Sequence, residues 1–136
     1  MAESEKPVPA PDVDSAPYWA AAAAGELRLP TCRSCQTILF PPRSVCPQCL
    51  GSEVDWTALS GRATVHSFGI MHDSFIRGFE PPYIVASVEL EEQAGLRLTT
   101  NIVNCGVGDV YIGMAVSVIF DRRDDDIGVP LFEPRG

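Results

Sequence analysis

Cys32-Arg-Ser-Cys35 and Cys46-Pro-Gln-Cys49, ten residues apart, constrain this chain more than any other feature. A C-x2-C turn points both its sulfurs the same way, so two such turns let four thiolates converge on one tetrahedral metal site. Zinc held there contributes folding free energy directly, about 10–16 kcal/mol in small zinc-finger peptides. The spacer is shorter than the ~15–20 residues of the common double C-x2-C pattern. Thr37-Ile-Leu-Phe40 and the Pro41-Pro42 turn nevertheless suit a compact ribbon. One structural zinc on Cys32, Cys35, Cys46 and Cys49 is the expectation, with iron in a rubredoxin-like site as the alternative metal and a disulfide pair as the competing reading. The motif dictates how this segment folds and says little about what it does.

The rest of the chain limits the setting. A ribbon of about 25 residues cannot bury enough surface to hold itself together without the metal. The 136 residues make one domain of ordinary size or two small modules sharing a surface. The longest apolar run, in the alanines near residue 20, falls far short of the ~20 residues of a membrane span. Met1-Ala-Glu-Ser-Glu-Lys6 has neither a basic start nor an apolar stretch, so a cytoplasmic location is expected, which also suits thiolate ligands. Ten basic residues against eighteen acidic ones give a net charge of −8. That sign opposes binding to phosphate backbones and anionic lipid, so neither nucleic acid nor membrane is expected as a partner.

Along the chain the residues divide into a disordered tail at 1–14, a helix and connector at 15–29, a zinc ribbon at 30–55 and a β-domain at 56–136. Pro7, Pro9 and Pro11 among acidic groups leave the tail nothing to bury. A helix is predicted over 16–25: Ser15 can cap it, Pro17 is tolerated in its first turn, Ala20 to Ala24 favour it, and Gly25 stops it. Tyr18 and Trp19 on so short a helix need a surface to cover, either the ribbon or a partner. Beyond the ribbon the period becomes two. Strands are predicted at Arg62–Phe68, Tyr83–Leu90, Leu96–Val103 and Ala115–Phe120. A tight hairpin is expected at Gln93-Ala-Gly95, and a fifth strand at Gly128–Phe132 after the charged turn Arg122–Asp126. Five short strands in about 75 residues with no helix between them fit the OB-fold barrel. The predicted class is mainly β: a short N-terminal helix, a rubredoxin-like zinc ribbon and a C-terminal five-stranded OB-fold barrel.

That order of parts resembles the zinc-ribbon/OB-fold, acyl-CoA-associated family, long filed as a domain of unknown function. The resemblance is carried by Pro17-Tyr-Trp19 with Gly25-Glu-Leu-Arg-Leu29, and by the two knuckles joined through Phe40-Pro-Pro-Arg43. Ser60-Gly-Arg62, Pro82-Tyr-Ile-Val85, Val88-Glu-Leu90, Gly113-Met-Ala-Val116, Val118-Ile-Phe120 and Pro130-Leu-Phe132 with Pro134 extend it over nearly the whole chain. The long segment from Ile70 to Pro81 departs from the pattern. The resemblance implies a non-catalytic subunit that pairs with a thiolase-fold enzyme acting on acyl-CoA thioesters. Such enzymes include thiolases, acyltransferases and the retro-aldolases that shorten steroid side chains. A two-plus-two heterotetramer follows from a dimeric partner, with Arg28, Arg33 or Arg43 as candidates to meet CoA phosphates.

The residues themselves offer little chemistry. His66 reads as an ordinary strand residue, and His72 in Met71-His-Asp-Ser74 sits beside groups whose side chains diverge. Cys105 reads as a small buried hydrophobe. No nucleophile stands beside an oriented base. The segment from Ile70 to Pro82 carries Phe75 and Phe79, more apolar surface than a barrel loop buries on itself, which points to a partner interface there and at Tyr18 and Trp19. The competing readings are a nucleic-acid-binding ribbon/OB module, which needs a basic groove with stacking aromatics, and a stand-alone acyl-CoA-binding protein.

Overall fold

The computed structural model describes residues 9–10, 12–73 and 80–135. Helix α1 covers Ala16–Ala23 and seven strands follow: β1 Arg28–Cys32, β2 Val54–Ala58, β3 Arg62–Met71, β4 Tyr83–Leu90, β5 Arg97–Ile102, β6 Ala115–Asp124 and β7 Ile127–Pro134. β1 and β2 form a two-stranded antiparallel sheet, and β3 to β7 close into a barrel in the order β3-β4-β5-β7-β6. The protein is mainly β, one short helix and a ribbon on an OB-fold barrel.

Alternation explains the barrel. Ile84, Ala86, Val88 and Leu90 on β4 are buried and meet Leu98 and Ile102 of β5 in one apolar cluster. β4 and β5 pair from Ile84↔Ile102 to Glu89↔Arg97, and β3 pairs with β4 across a bulge between Val65 and Ser67. The seam is closed by β7, which pairs with β5 in parallel at Ile102↔Phe132 and with β6 antiparallel.

The structure differs from the sequence-based expectation in four places. β1 and β2 are not visible as strands in the sequence, because each has five residues and β1 contains Pro30, which an outer strand tolerates. The charged turn at 122–126 is mostly strand: β6 runs to Asp124 through a register shift between Arg122 and Asp124, with Arg123 Nε 3.0 Å from Asp121. The β4–β5 connection is wider than Gln93-Ala-Gly95, closing where Leu90 donates to the Leu96 carbonyl at 2.8 Å. Ser15 stands at the N-cap but its hydroxyl bonds no helical amide. It accepts the Trp19 indole N–H at 3.2 Å and the Asp12 N–H at 3.1 Å, while Asp12 Oδ1 accepts the Ser15 N–H at 2.8 Å. That last bond holds the Asp12 carboxyl below its ordinary value. Gly25 ends the helix as predicted: at φ +84° it donates to Ala22 O while Glu26 donates to Ala21 O, satisfying two terminal carbonyls.

α1 lies mainly against β7 and β6, with β1 beside it. A Cβ on Gly128 would stand 2.5 Å from Ala22 C and Ala23 N, so the helix backbone rests directly on β7. Gly128→Val is expected to push α1 off the sheet and lower stability by about 1–3 kcal/mol, the usual cost of overpacking. Urea denaturation checks it, and metal content should be unchanged.

Candidate metal centre and the ribbon–barrel cleft

The two knuckles are built alike. In the first, Gln36 N–H donates to Cys32 O and Cys32 N–H to Thr37 O, both at 2.8 Å. In the second, Leu50 N–H donates to Cys46 O at 2.8 Å and Cys46 N–H to Gly51 O at 2.9 Å. The residue after each second cysteine, Gln36 at φ +67° and Leu50 at φ +64°, turns the chain through the left-handed region. Gly51 makes room beside them, since a Cβ there would stand 3.3 Å from Cys49 Sγ.

The result is one cluster of four sulfurs, all within 4.8 Å of one another, with Cys32 and Cys46 buried and Cys35 and Cys49 exposed. Cys32 and Cys49 sulfurs are 3.5 Å apart, and Cys35 and Cys46 sulfurs 3.6 Å. A tetrahedral site with Zn–S bonds of about 2.3 Å separates its sulfurs by about 3.8 Å, so the donor set fits that ion. The Thr37 hydroxyl and amide bring the Cys35 thiol down to about 6. The Gly51 N–H acts in the same direction on Cys49, yet the Cys32 and Cys35 sulfurs prevail and push that thiol up to about 12. Four sulfurs this close cannot all be anionic alone; a divalent cation permits it.

The ribbon's arginines divide by face. Arg28 Nε lies 2.7 Å from Glu26, and Arg33 binds Asp55 at 2.7 Å with Glu53 at 3.6 Å. Both are already matched by carboxylates. Among the described residues, Arg43 reaches only the Pro41 carbonyl, at 3.4 Å. It stands in a cleft of 430 Å3 between the ribbon and the β4–β5 turn. The cleft is held at fixed width by Gln93, whose side-chain amide accepts the Ile38 N–H at 2.8 Å and donates to Ile38 O at 2.9 Å. No sequence signal marks this clamp, because its partners lie 55 residues apart.

Tyr18 packs in the chain's own core, against Phe40 of the ribbon. It is 6% exposed, edge-on to Trp19 at 4.8 Å and tilted on Phe40 at 5.8 Å. Desolvation raises its phenol well above the ordinary value. Trp19 is half-buried, and Phe75 and Phe79 lie outside the described residues. His66 is exposed on β3 and His72 just beyond it. Cys105 donates to the Gly106 carbonyl at 3.4 Å, and burial together with Asp109 pushes its thiol up, away from a nucleophile's thiolate.

Two family models match in tandem: the ChsH2 rubredoxin-like zinc ribbon domain over residues 19–55 and the ChsH2 C-terminal OB-fold domain over 56–121. A DUF35 domain-containing scaffold protein of Methanocaldococcus jannaschii is 42% identical over 103 residues, covering 72% of this chain and 71% of that one. The chain belongs to the ChsH2/DUF35 family. A solved chain of the Ltp2-ChsH2(DUF35) aldolase superposes with a TM-score of 0.84 at 34% identity, over 93% of this chain and 98% of that one. Benzoylsuccinyl-CoA thiolase subunit BbsA of Thauera aromatica is 33% identical over 106 residues, 74% of this chain and 67% of that subunit. A probable enoyl-CoA hydratase alpha subunit of Thermomonospora curvata is 35% identical over 129 residues, 95% of this chain, and the chain spans 40% of it. Within the ChsH2/DUF35 family, relatives are thus named as scaffolds and as subunits of acyl-CoA enzymes.

Proposed function

We propose that this chain is a non-catalytic, zinc-binding subunit that pairs with and supports a thiolase-fold enzyme acting on acyl-CoA thioesters. The observation that carries the reading is the end-to-end similarity to a chain of the Ltp2-ChsH2(DUF35) aldolase. The relative named as a thiolase subunit supports the same class of partner. Zinc is the metal favoured by four converging cysteines, and its role is structural, since a four-thiolate set leaves no open coordination position. The reacting groups belong to the partner: among the described residues His66 and His72 are exposed and Cys105 donates to a backbone carbonyl, with no nucleophile-and-base pair among them. Of the two alternatives, nucleic-acid binding is opposed by the net charge of −8.

Co-expression with candidate thiolase-fold partners tests the assembly. Tagged chain should retain one such partner through gel filtration, and light scattering should give the mass of a two-plus-two heterotetramer. A chain that elutes alone from every such mixture would overturn the pairing.

A further inference from the structure

On the subunit reading above, we propose that the open edge of β3, from His66 to Met71, takes up an extended, uncharged strand of the thiolase-fold partner, with Phe68, Tyr111 and Ile112 as its apolar seat. β3 pairs with β6 only over Arg62, Ala63 and Thr64. Val65 completes that seam, donating to Met114 O at 3.0 Å and accepting the Gly113 N–H at 2.7 Å. Beyond it β3 pairs with β4 alone among the described residues, from Ser67↔Ser87 to Met71↔Tyr83. Burial changes at the same point. Ala63 and Val65 are buried with exposed residues beside them, whereas His66, Ser67, Phe68 and Gly69 are all exposed. The strand thus leaves the barrel with one side of its backbone facing no strand among the described residues, which is a template for another strand.

The residues along this edge suit an occupant. Edges that must stay empty carry Lys, Pro or an inward charge. His-Ser-Phe-Gly-Ile-Met has none of these, and a bulge stands only at its start, between Val65 and Ser67. Gly69 weakens a strand interior and suits close approach of a second backbone; a Cβ there would meet nothing within 4 Å. Tyr111 and Ile112 are 60% and 68% exposed. They are held beside Val65 by the turn in which Met114 N–H donates to Tyr111 O at 3.1 Å, with Gly113 at φ +91°. Phe68 stands three residues further along β3, also exposed. Charge decides between occupants. The protein carries −8, yet no carboxylate occurs from Arg62 to His72 or from Val110 to Phe120. Exposed Asp73 and Asp109 stand just outside those two stretches. A neutral strand with basic flanks matches that pattern, whereas a second copy of this chain would bring its own −8 to the same rim. Main-chain bonds supply the affinity of such a pairing, and the three apolar side chains supply the choice of strand.

Residue-resolved amide hydrogen exchange tests this on the full-length, zinc-loaded chain, alone and in its complex with a thiolase-fold partner. Alternate amides of residues 66–71, those that point away from β4, should exchange fast in the free chain and at least about tenfold more slowly in the complex. The double variant Y111D/I112D should weaken the complex by at least about tenfold, the scale of an interface hot spot. It should keep its zinc and its urea midpoint, because both side chains are exposed. A complex that forms without new protection at 66–71, or one that the double variant forms undiminished, overturns this surface and leaves the subunit reading standing. Protection at 66–71 that rises with the concentration of the free chain, with a dimer mass by light scattering, would make a second copy the occupant and contradict the assignment. Failure of every candidate partner to form a complex would remove the subunit reading and this surface with it.

Discussion

Cys46→Ala is expected to strip the metal and unfold residues 30–55 while the barrel stays folded. The asymmetry follows from how the apolar surface is distributed. The ribbon's own buried cluster is Cys32, Leu39 and Cys46 with Val54 packed against it, and two of those four are metal ligands. Nothing else of comparable size holds the knuckles among the described residues, so the metal supplies what a core would, on the scale of about 10 kcal/mol. The barrel draws on a second, much larger cluster that runs from Tyr18, Leu27 and Leu29 to Phe132, against which Ile38 and Phe40 of the ribbon also pack. Zinc analysis should fall from one per chain to a small fraction, limited proteolysis should cut within 30–55, and far-UV circular dichroism should retain the barrel's strand signal. Full metal occupancy in the variant would remove Cys46 from the ligand set.

Phe132→Ala should cost about 3–5 kcal/mol, the range for a large aromatic removed from a core. Phe132 is fully buried on β7 and stands opposite Val118 of β6 on one side and Ile102 of β5 on the other. Its carbonyl also accepts the Val103 N–H at 2.8 Å. The β5–β7 seam rests on that one register pair, so a cavity here lies where the barrel closes. Against a typical domain stability of about 5–15 kcal/mol this is a large fraction of the total. Urea denaturation should show a lower midpoint with the slope unchanged; a loss under about 1 kcal/mol would mean the seam repacks around the gap.

The features legible in the sequence are those that leave a local pattern. Tyr83–Leu90 alternates because one face of β4 fills the barrel, and the paired C-x2-C turns declare a convergent sulfur cluster by their spacing alone. The hidden features are those that depend on distant partners. β1 and β2 are too short to show a period, and only their register from Arg28↔Ala58 to Cys32↔Val54 brings Asp55 to Arg33. That pairing is why Arg33, an evident cation in the sequence, carries no free charge in the fold. Ser15 shows the same limit on a smaller scale. It has the right residue type at the right position for a cap, but an indole four residues on and an aspartate three residues back take its hydroxyl instead.

On the proposed reading this chain supports acyl-CoA chemistry without performing it. Turnover of acyl-CoA thioesters should therefore be measured for the isolated chain, for the thiolase-fold partner and for the purified complex under one set of conditions. The expected result is no turnover by the isolated chain, turnover by the complex above that of the partner alone, and an unchanged rate in complexes carrying His66→Ala, His72→Ala or Cys105→Ala. Turnover by a partner-free preparation of the chain, abolished by any one of those three substitutions, would contradict it.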